Sequence, residues 1–486
     1  MRLSKSRYCA GLQCHRQLWW RSHEPGAPEL EPDASLEAIF NQGHVVGLAA
    51  QERFPGGVLI DFPFRAYAER LAATQVAIEN KAPAIYEASV MADDVFVAVD
   101  ILERVPGGWT LVEVKSTTQV KEPHIPDIAV QLHVLRASGL KVDRAELMHL
   151  NRECTFPNLD DLFLREDVTT RAEALLAGIP AEVRNQLDML NGPIPEVAIG
   201  PHCTSPYDCP FMERCWPERP EHHVSKLYSI GRGWEQLEAD GYTTIDQLPE
   251  GLKLRNEAER QRRAVTSGTM IVEPGLAEAL RAFKEPVAIL DFETLAPAVP
   301  VWPGCHPYDP VPAQFSVHVH EGAGTWRHHE WLAEGPADPR PALVAELVRV
   351  LASAGTILAY NKAFESRCLN LMAASLPQLK PAIDKIVARL DDPLPVLRKH
   401  VYHPDFGGSF SLKAVLPALV PDLTYEGLEI AEGTAASREL EQLMFGGESV
   451  TPEERSRLRT ALLRYCELDT WGVARVLERM KELGEA

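Results

Sequence analysis

Three sets of side chains in this sequence have the types and spacing to do chemistry. The first begins with Asp100, which closes an apolar alternation, and continues across a Gly107-Gly108 pair into Glu113-Val-Lys115. A strand's period of two puts Glu113 and Lys115 on one face, and a hairpin over the glycine pair brings Asp100 beside them. Two carboxylates at one strand edge are hard oxygen ligands suited to Mg²⁺ or Mn²⁺. Such an ion polarises a phosphate and lowers the pKa of bound water, while a lysine positions that water or offsets developing charge. The plain alternative is a surface Glu–Lys pair on a hairpin.

The second set is Asp291-Phe-Glu293, closing a strand, with Glu365 after Asn361 at the start of a helix. Tyr465 and Asp469 complete it, four residues apart and so on one helical face. Four converging carboxylates repel strongly without cations, and they suit a pair of divalent ions clamping a phosphodiester. The third set is Cys203, Cys209 and Cys215. Soft thiolates favour an iron–sulfur cluster or zinc. A fourth ligand is needed, and Cys14 is the first choice, with Cys9 and His202 as alternatives.

The first set, with Gln131 on the following helix and His44 on an earlier one, resembles the PD-(D/E)XK nucleases of the RecB type. That resemblance implies metal binding by His44, Asp100 and Glu113, a catalytic Lys115, and Gln131 in support. The cysteines are similar to those of RecB-type nucleases such as the AddB subunit and CRISPR-associated exonucleases. There one early cysteine joins three late ones, implying a 4Fe-4S cluster on Cys14, Cys203, Cys209 and Cys215, zinc being the lesser choice. The first interval of the late trio is longer here than in those relatives. The second set resembles the DEDD exonucleases of the DnaQ-like, RNase H-fold group. It implies metal binding by Asp291, Glu293, Glu365 and Asp469, with Tyr465 orienting water and Asn361, which matches the asparagine before the second acid, binding nucleic acid. The departure is Glu365, where that group usually carries aspartate.

The elements that must position these residues are legible as patterns. Helical periodicity runs through 12–20, 35–54, 127–137, 169–189 and 452–483. Strand-like runs cover 84–90, 96–102, 109–114, 145–150 and 287–293. The expected architecture is α/β and multidomain: a PD-(D/E)XK nuclease domain with an iron–sulfur staple over 1–222, a helical linker over 223–285, and an RNase H-like DEDD exonuclease domain over 286–486. Within the linker, 238–249 loosely resembles a helix-hairpin-helix. The densest basic stretch, Lys253, Arg255, Arg260, Arg262 and Arg263, reads there as a nucleic-acid grip.

Composition bounds the rest. The chain has 486 residues and a formal net charge of −20. This excludes a polybasic coat, though not a local basic groove. The segment 221–290 is nearly neutral, with 9 basic against 11 acidic residues. No apolar run is long enough for a membrane span, and the charged first residues, with no apolar stretch after them, lead to no expectation of a secretory leader. Nine cysteines, an odd number, do not make a secreted disulfide framework. A cytoplasmic enzyme is expected: a divalent-metal-dependent deoxyribonuclease with two hydrolytic sites, acting on DNA ends or single strands, RNA remaining open, in repair, processing or antiviral defence. The alternative is a nucleic-acid-binding scaffold whose exonuclease half has decayed.

Overall fold

The computed structural model describes residues 2–63, 65–322 and 324–485. The chain is a mixed α/β fold with several sheets, and it divides into two compact units. The first holds Met1–Pro217 and Pro297–Tyr308, the second Glu218–Ala296 and Asp309–Ala486. Among the described residues no helix is long and apolar enough to cross a membrane.

In the first unit, strand β1 (Leu3–Ser4) leads directly into helix α1 (Lys5–Gln13), followed by α2 (His15–His23) and α3 (Ala34–Gln51). Strand β2 (Val58–Leu59) and helix α4 (Tyr67–Glu79) precede β3 (Ala84–Ala92), β4 (Val95–Val105) and β5 (Gly108–Lys115). Helix α5 (His124–Ala137) then crosses to β6 (Val142–Leu150), and β7 (Phe163–Asp167) follows. The sheet order is β2-β3-β4-β5-β6-β7, with β1 parallel to β4. The β3–β4 turn is Asp93-Asp94, both at positive φ, a two-residue hairpin whose twist matches the strands. Gly107 at φ +87 makes the next one, as its sequence indicates. The parallel β5–β6 pair needs a crossover, and α5 supplies it, packing nine buried residues on the sheet.

The second unit opens with short helices and α6 (Asn256–Ser267), then β8 (Ile271–Val272) and β9 (Val287–Leu295). Strands β10 (Val311–Gly322), β11 (Thr325–Leu332), β12 (Thr356–Leu358) and β13 (Leu390–Asp391) complete a sheet ordered β11-β10-β9-β12-β13. The first three are antiparallel; β12 and β13 run parallel to β9. Helix α7 (Ala363–Ser375) follows β12, β14 (Val401–Tyr402) pairs with β8, and α8 (Leu412–Leu419) and the long α9 (Pro452–Glu485) close the chain. Val287 to Leu290 are all buried, as befits a central strand covered on both faces.

Four expectations are corrected. The segment 223–285 is not a separate linker: Ala264, Leu276 and Leu280 share one core with Val401, Tyr402 and α9. Residues 297–308 leave the exonuclease-like sequence for the first unit, where Ala298 packs with Val46, Leu150, Cys154 and Leu162. The helix-hairpin-helix does not form, because one 3₁₀ turn at Ile245–Gln247 stands where its second helix belongs. The helical run 12–20 is broken at Cys14, whose extended backbone (φ −161, ψ 120) separates α1 from α2.

Candidate metal centres and a cysteine cluster

The first set of residues converges on Glu113, 1% exposed at the end of β5. Its Oε1 accepts from Lys115 Nζ and Lys5 Nζ, both at 2.8 Å, and its Oε2 accepts from Gln131 Nε2 at 2.7 Å. Asp100 lies on the neighbouring strand and its Oδ2 accepts the Val114 N–H at 2.7 Å. Asp127, one turn before Gln131 on α5, bonds Lys115 and sits 3.5 Å from Lys5.

Burial would raise the Glu113 carboxyl, yet the two ammonium groups overcome it and hold the group well below its ordinary range. Burial would lower Lys115, and Glu113 and Asp127 more than offset that, so it stays charged. Asp100 is pushed up to about 7, by burial first and then by Glu113. One carboxylate is thus fixed as an anion while its neighbour is held near the middle of the pH range. Gln131 Oε1 remains buried without a hydrogen-bond partner.

His44 is not drawn into this group. It is exposed on α3 and, among the described residues, makes no hydrogen bond to Asp100 or Glu113. Helix α3 does pass close by, since a Cβ on Gly43 would lie 3.9 Å from Ser116 Oγ. Lys5 and Asp127 were not singled out by the sequence. For Asp127 a signal existed, the i, i+4 spacing to Gln131. Lys5 arrives only through the β1–β4 pairing.

The second set meets between β9, α7 and α9. Asp291 pairs with Ser316 and Glu293 with Gln314 across β9–β10, so both acids share the face covered by α9. Asp291, Glu293 and Cys466 offer ligand atoms within 4.8 Å of one another. Asp291 is held well above the usual carboxylate range by burial, then by Asp469, Glu293 and Glu365. Glu293 is raised by burial and Asp469, against the opposing pull of Lys413. Glu365 is pushed up to about 7 mainly by burial, and its Oε2 is buried without a partner. Asp469 rises to about 6 through burial, moderated by hydrogen bonds from Tyr425 and Tyr465 and by Lys413.

Both phenols are pushed far up, chiefly by burial and the facing Asp469, so they remain protonated donors. The Cys466 thiol, also held up by burial, points to Asp291 Oδ2 at 3.6 Å. Tyr425 and the placement of Cys466 were not anticipated; a cysteine next to Tyr465 reads as packing. Asn361 is exposed at φ +65, and its N–H donates to Asp392 Oδ1 at 3.1 Å, fixing the turn that leads to Glu365.

The cysteines converge as well. Cys14, Cys203, Cys209 and Cys215 line one cavity with Arg16, Trp20 and Phe211. Gln13 Nε2 donates to both His202 and Tyr207 carbonyls at 2.7 Å, fastening α1 to the late cysteine loop. Arg16 Nε is buried there without a partner. Cys9 turns away instead: burial raises it to about 12, and the charges acting on it are Asp127, Lys5, Lys115 and Glu113. His202 Nε2 lies 3.8 Å from Cys203 Sγ.

The basic stretch of 253–263 mostly serves the fold. Arg260 is buried and donates to the Arg398 carbonyl at 2.5 Å, and Arg262 is buried on Glu259 at 2.7 Å. Arg263 pairs with Glu273 at 2.6 Å, and Arg255 reaches Ser229 at 3.2 Å. Lys253 alone of the five is exposed with no such bond among the described residues. An arginine placed on a helix face that packs inward is spent on local carbonyls and carboxylates, whatever the stretch looks like in sequence.

With this geometry in view, comparison with known proteins adds one finding. Residues 288–411 match a domain of unknown function, DUF2779. The matched part carries Asp291, Glu293 and Glu365 and ends before Tyr465 and Asp469; the first unit up to residue 217 lies outside it. No curated protein matches the chain.

Proposed function

We propose that the chain is a divalent-metal-dependent nuclease with two phosphodiester-hydrolysing sites, acting on DNA ends or single strands, its first unit stapled by a 4Fe-4S cluster. The observation that carries this reading is the meeting of Asp291, Glu293, Glu365 and Asp469 from three separate elements in one buried place. Asp469, Glu293 and Glu365 all raise the pKa of Asp291, and Asp469 and Glu365 that of Glu293, an arrangement that costs stability unless cations offset it. The four acids offer hard carboxylate oxygens, with the Cys466 thiol within 4.8 Å of Asp291 and Glu293, and the buried, unpartnered Glu365 Oε2 fits a hard cation. Mg²⁺ or Mn²⁺, when bound, would supply Lewis-acid polarisation of the phosphate and a more acidic water. Asp291, Glu293, Glu365 and Asp469 would hold it. Tyr425 and Tyr465 keep Asp469 in position, and as protonated donors they orient water rather than take its proton. The sheet order β11-β10-β9-β12-β13 supports the RNase H-like, DnaQ-like reading of the second unit.

In the first unit Asp100 and Glu113 are the oxygen donors a cation would use. Lys115 stays charged and offsets negative charge at the phosphate, and Gln131 holds Glu113 in place. The antiparallel β3-β4-β5 with parallel β6 and the α5 crossover supports the PD-(D/E)XK reading. At the cysteine cavity, four thiols beside the orphaned Arg16 Nε fit a sulfur-rich anionic cluster. A single tetrahedral zinc draws its sulfurs to about 3.8 Å from one another (Zn–S about 2.3 Å). No three of these thiols lie within 4.8 Å of one another among the described residues.

The test is degradation of end-labelled DNA with Mg²⁺ or Mn²⁺ by the full chain and by Lys115→Ala, Asp291→Ala and the double variant. Each single change should remove part of the activity, by about 10²-fold or more at its own site, and the double change all of it. Three variants equal to the unaltered chain would overturn the two-site reading.

A further inference from the structure

Arg260 and Arg262 of the basic stretch proposed from sequence are buried in the fold, so a nuclease of net charge −20 gains from a grip elsewhere. The first unit has a pocket of about 510 Å³ whose lining includes Arg2, Arg7, Arg21, Arg65, Tyr67 and Phe96. No acidic residue is among the described residues that line it. Its size falls in the range of about 300–1,000 Å³ that holds a small molecule or one unit of a polymer. Arg2 and Arg65 are exposed, Arg7 and Arg21 half-buried. Tyr67 is 37% exposed and meets the buried Phe96 edge-on, with ring centroids 4.8 Å apart.

Its position relates it to Glu113. Residues 2–4 and 6–7 contribute to the wall, and Lys5 between them turns the other way, onto Glu113 at 2.8 Å. Arg2, Leu3 and Ser4 are held there because Leu3 and Ser4 pair with Val95 and Phe96 of β4. Guanidinium groups match phosphate oxygens in pairs, and an aromatic face takes a base of any sequence.

We infer that this pocket binds a single nucleic-acid strand, with its phosphates on the four arginines and a base against Tyr67, immediately beside the Glu113–Lys115 site. The inference rests on reading that site as phosphodiester-hydrolysing. Acidity elsewhere sharpens its effect: a strand repelled by most of the surface is retained where the field changes sign.

The experiment reads binding apart from cleavage. Full-length protein carrying Lys115→Ala and Asp291→Ala is titrated with a fluorescent single-stranded oligodeoxynucleotide across a series of KCl concentrations. Arg7→Ala with Arg65→Ala should weaken binding and make the slope of log K against log salt shallower by about 1.4, at about 0.7 per phosphate contact on a single strand. Arg7→Lys with Arg65→Lys should keep the slope, which separates lost charge from lost fold. A slope unchanged by the alanine pair, or lost equally in the lysine pair, overturns the pocket. Tighter binding of a blunt duplex than of the single strand does so too. An RNA strand of the same sequence, run in parallel, decides which backbone is preferred. Absence of cleavage in the unmutated chain would overturn the nuclease reading instead, and that result is read separately.

Discussion

Glu365 is one methylene longer than the aspartate that the DEDD resemblance calls for. From α7 the side chain reaches a buried position, 4% exposed, where it acts electrostatically on Asp291 and Glu293. Its pKa rises from 4.5 to about 7, mainly by burial. The sign of the consequence follows. Below about pH 4 the group is neutral both folded and unfolded and contributes nothing. As the pH rises from there through 7, the unfolded chain ionises more readily, so stability falls, by on the order of 3 kcal/mol once both states are charged. In chelator, Glu365→Gln should therefore raise the second unit's melting temperature at about pH 8 and leave it nearly unchanged at about pH 4. Adding Mg²⁺ or Mn²⁺ at the higher pH should stabilise the unaltered protein more than the variant. Calorimetry at the two pH values checks this, and an equal offset at both would count against it. The carboxylates of this centre were legible because period two and i, i+4 are local rules. Lys5, Tyr425 and the role of Cys466 were not, since each reaches its site only through contacts between residues far apart in sequence.

At the scale of elements, α9 carries Tyr465 and Asp469 and must hold a fixed register over β9 and β10. Buried polar contacts set it. Gln314 Nε2 donates to the Leu462 carbonyl at 2.8 Å, while Thr470 Oγ1 lies 2.6 Å from Ser316 Oγ and 2.9 Å from His318 Nδ1. His318 in turn stacks on His328, their centroids 4.6 Å apart, and burial lowers it to about 3, so it works as a neutral ring. Thr470→Val keeps the shape, removes one of Ser316's two bonds, that to His328 remaining, and takes away the bond to His318 Nδ1, at a cost of about 1–3 kcal/mol. The expected outcome is a lower melting temperature of the second unit and reduced Asp291-dependent cleavage, with Lys115-dependent cleavage intact. Cleavage assays in Lys115→Ala and Asp291→Ala backgrounds separate the two. Sequence periodicity located α9 nearly to its ends. Gln314 and Thr470, by contrast, look like any polar residues on a strand and a helix, and only the packed pair of elements shows what they do. The break at Cys14 is the same lesson in reverse: helix propensity runs on through 12–20, and the extended residue that turns the thiol into the cavity overrides it.

At the scale of the molecule, the late cysteine loop folds back on the first helices, and long-range bonds hold it there. Besides Gln13, Trp19 Nε1 donates to the Gly192 carbonyl at 3.2 Å, and Arg214 forms ion pairs with Glu24 and Glu29. The Arg214 side chain is 26% exposed and its guanidinium also lies over the Trp20 and Phe211 rings, so ion pairs and ring contacts act together there. A cluster shared by Cys14 and the three late cysteines would close the loop covalently, constraining the unfolded chain much as a crosslink does. Cys14→Ser should therefore lower the iron content and the visible iron–sulfur absorbance. It should also lower the first unit's melting temperature, by about 2–4 °C for each kcal/mol lost. Because the second unit has its own cores and contains none of the four cysteines, Asp291-dependent cleavage should persist while Lys115-dependent cleavage declines. Iron analysis of anaerobically purified protein, calorimetry and the two-background cleavage assay measure all three effects. Loss of both activities together would mean that the units do not fold independently, and full retention of both would mean that the cysteines are not a staple.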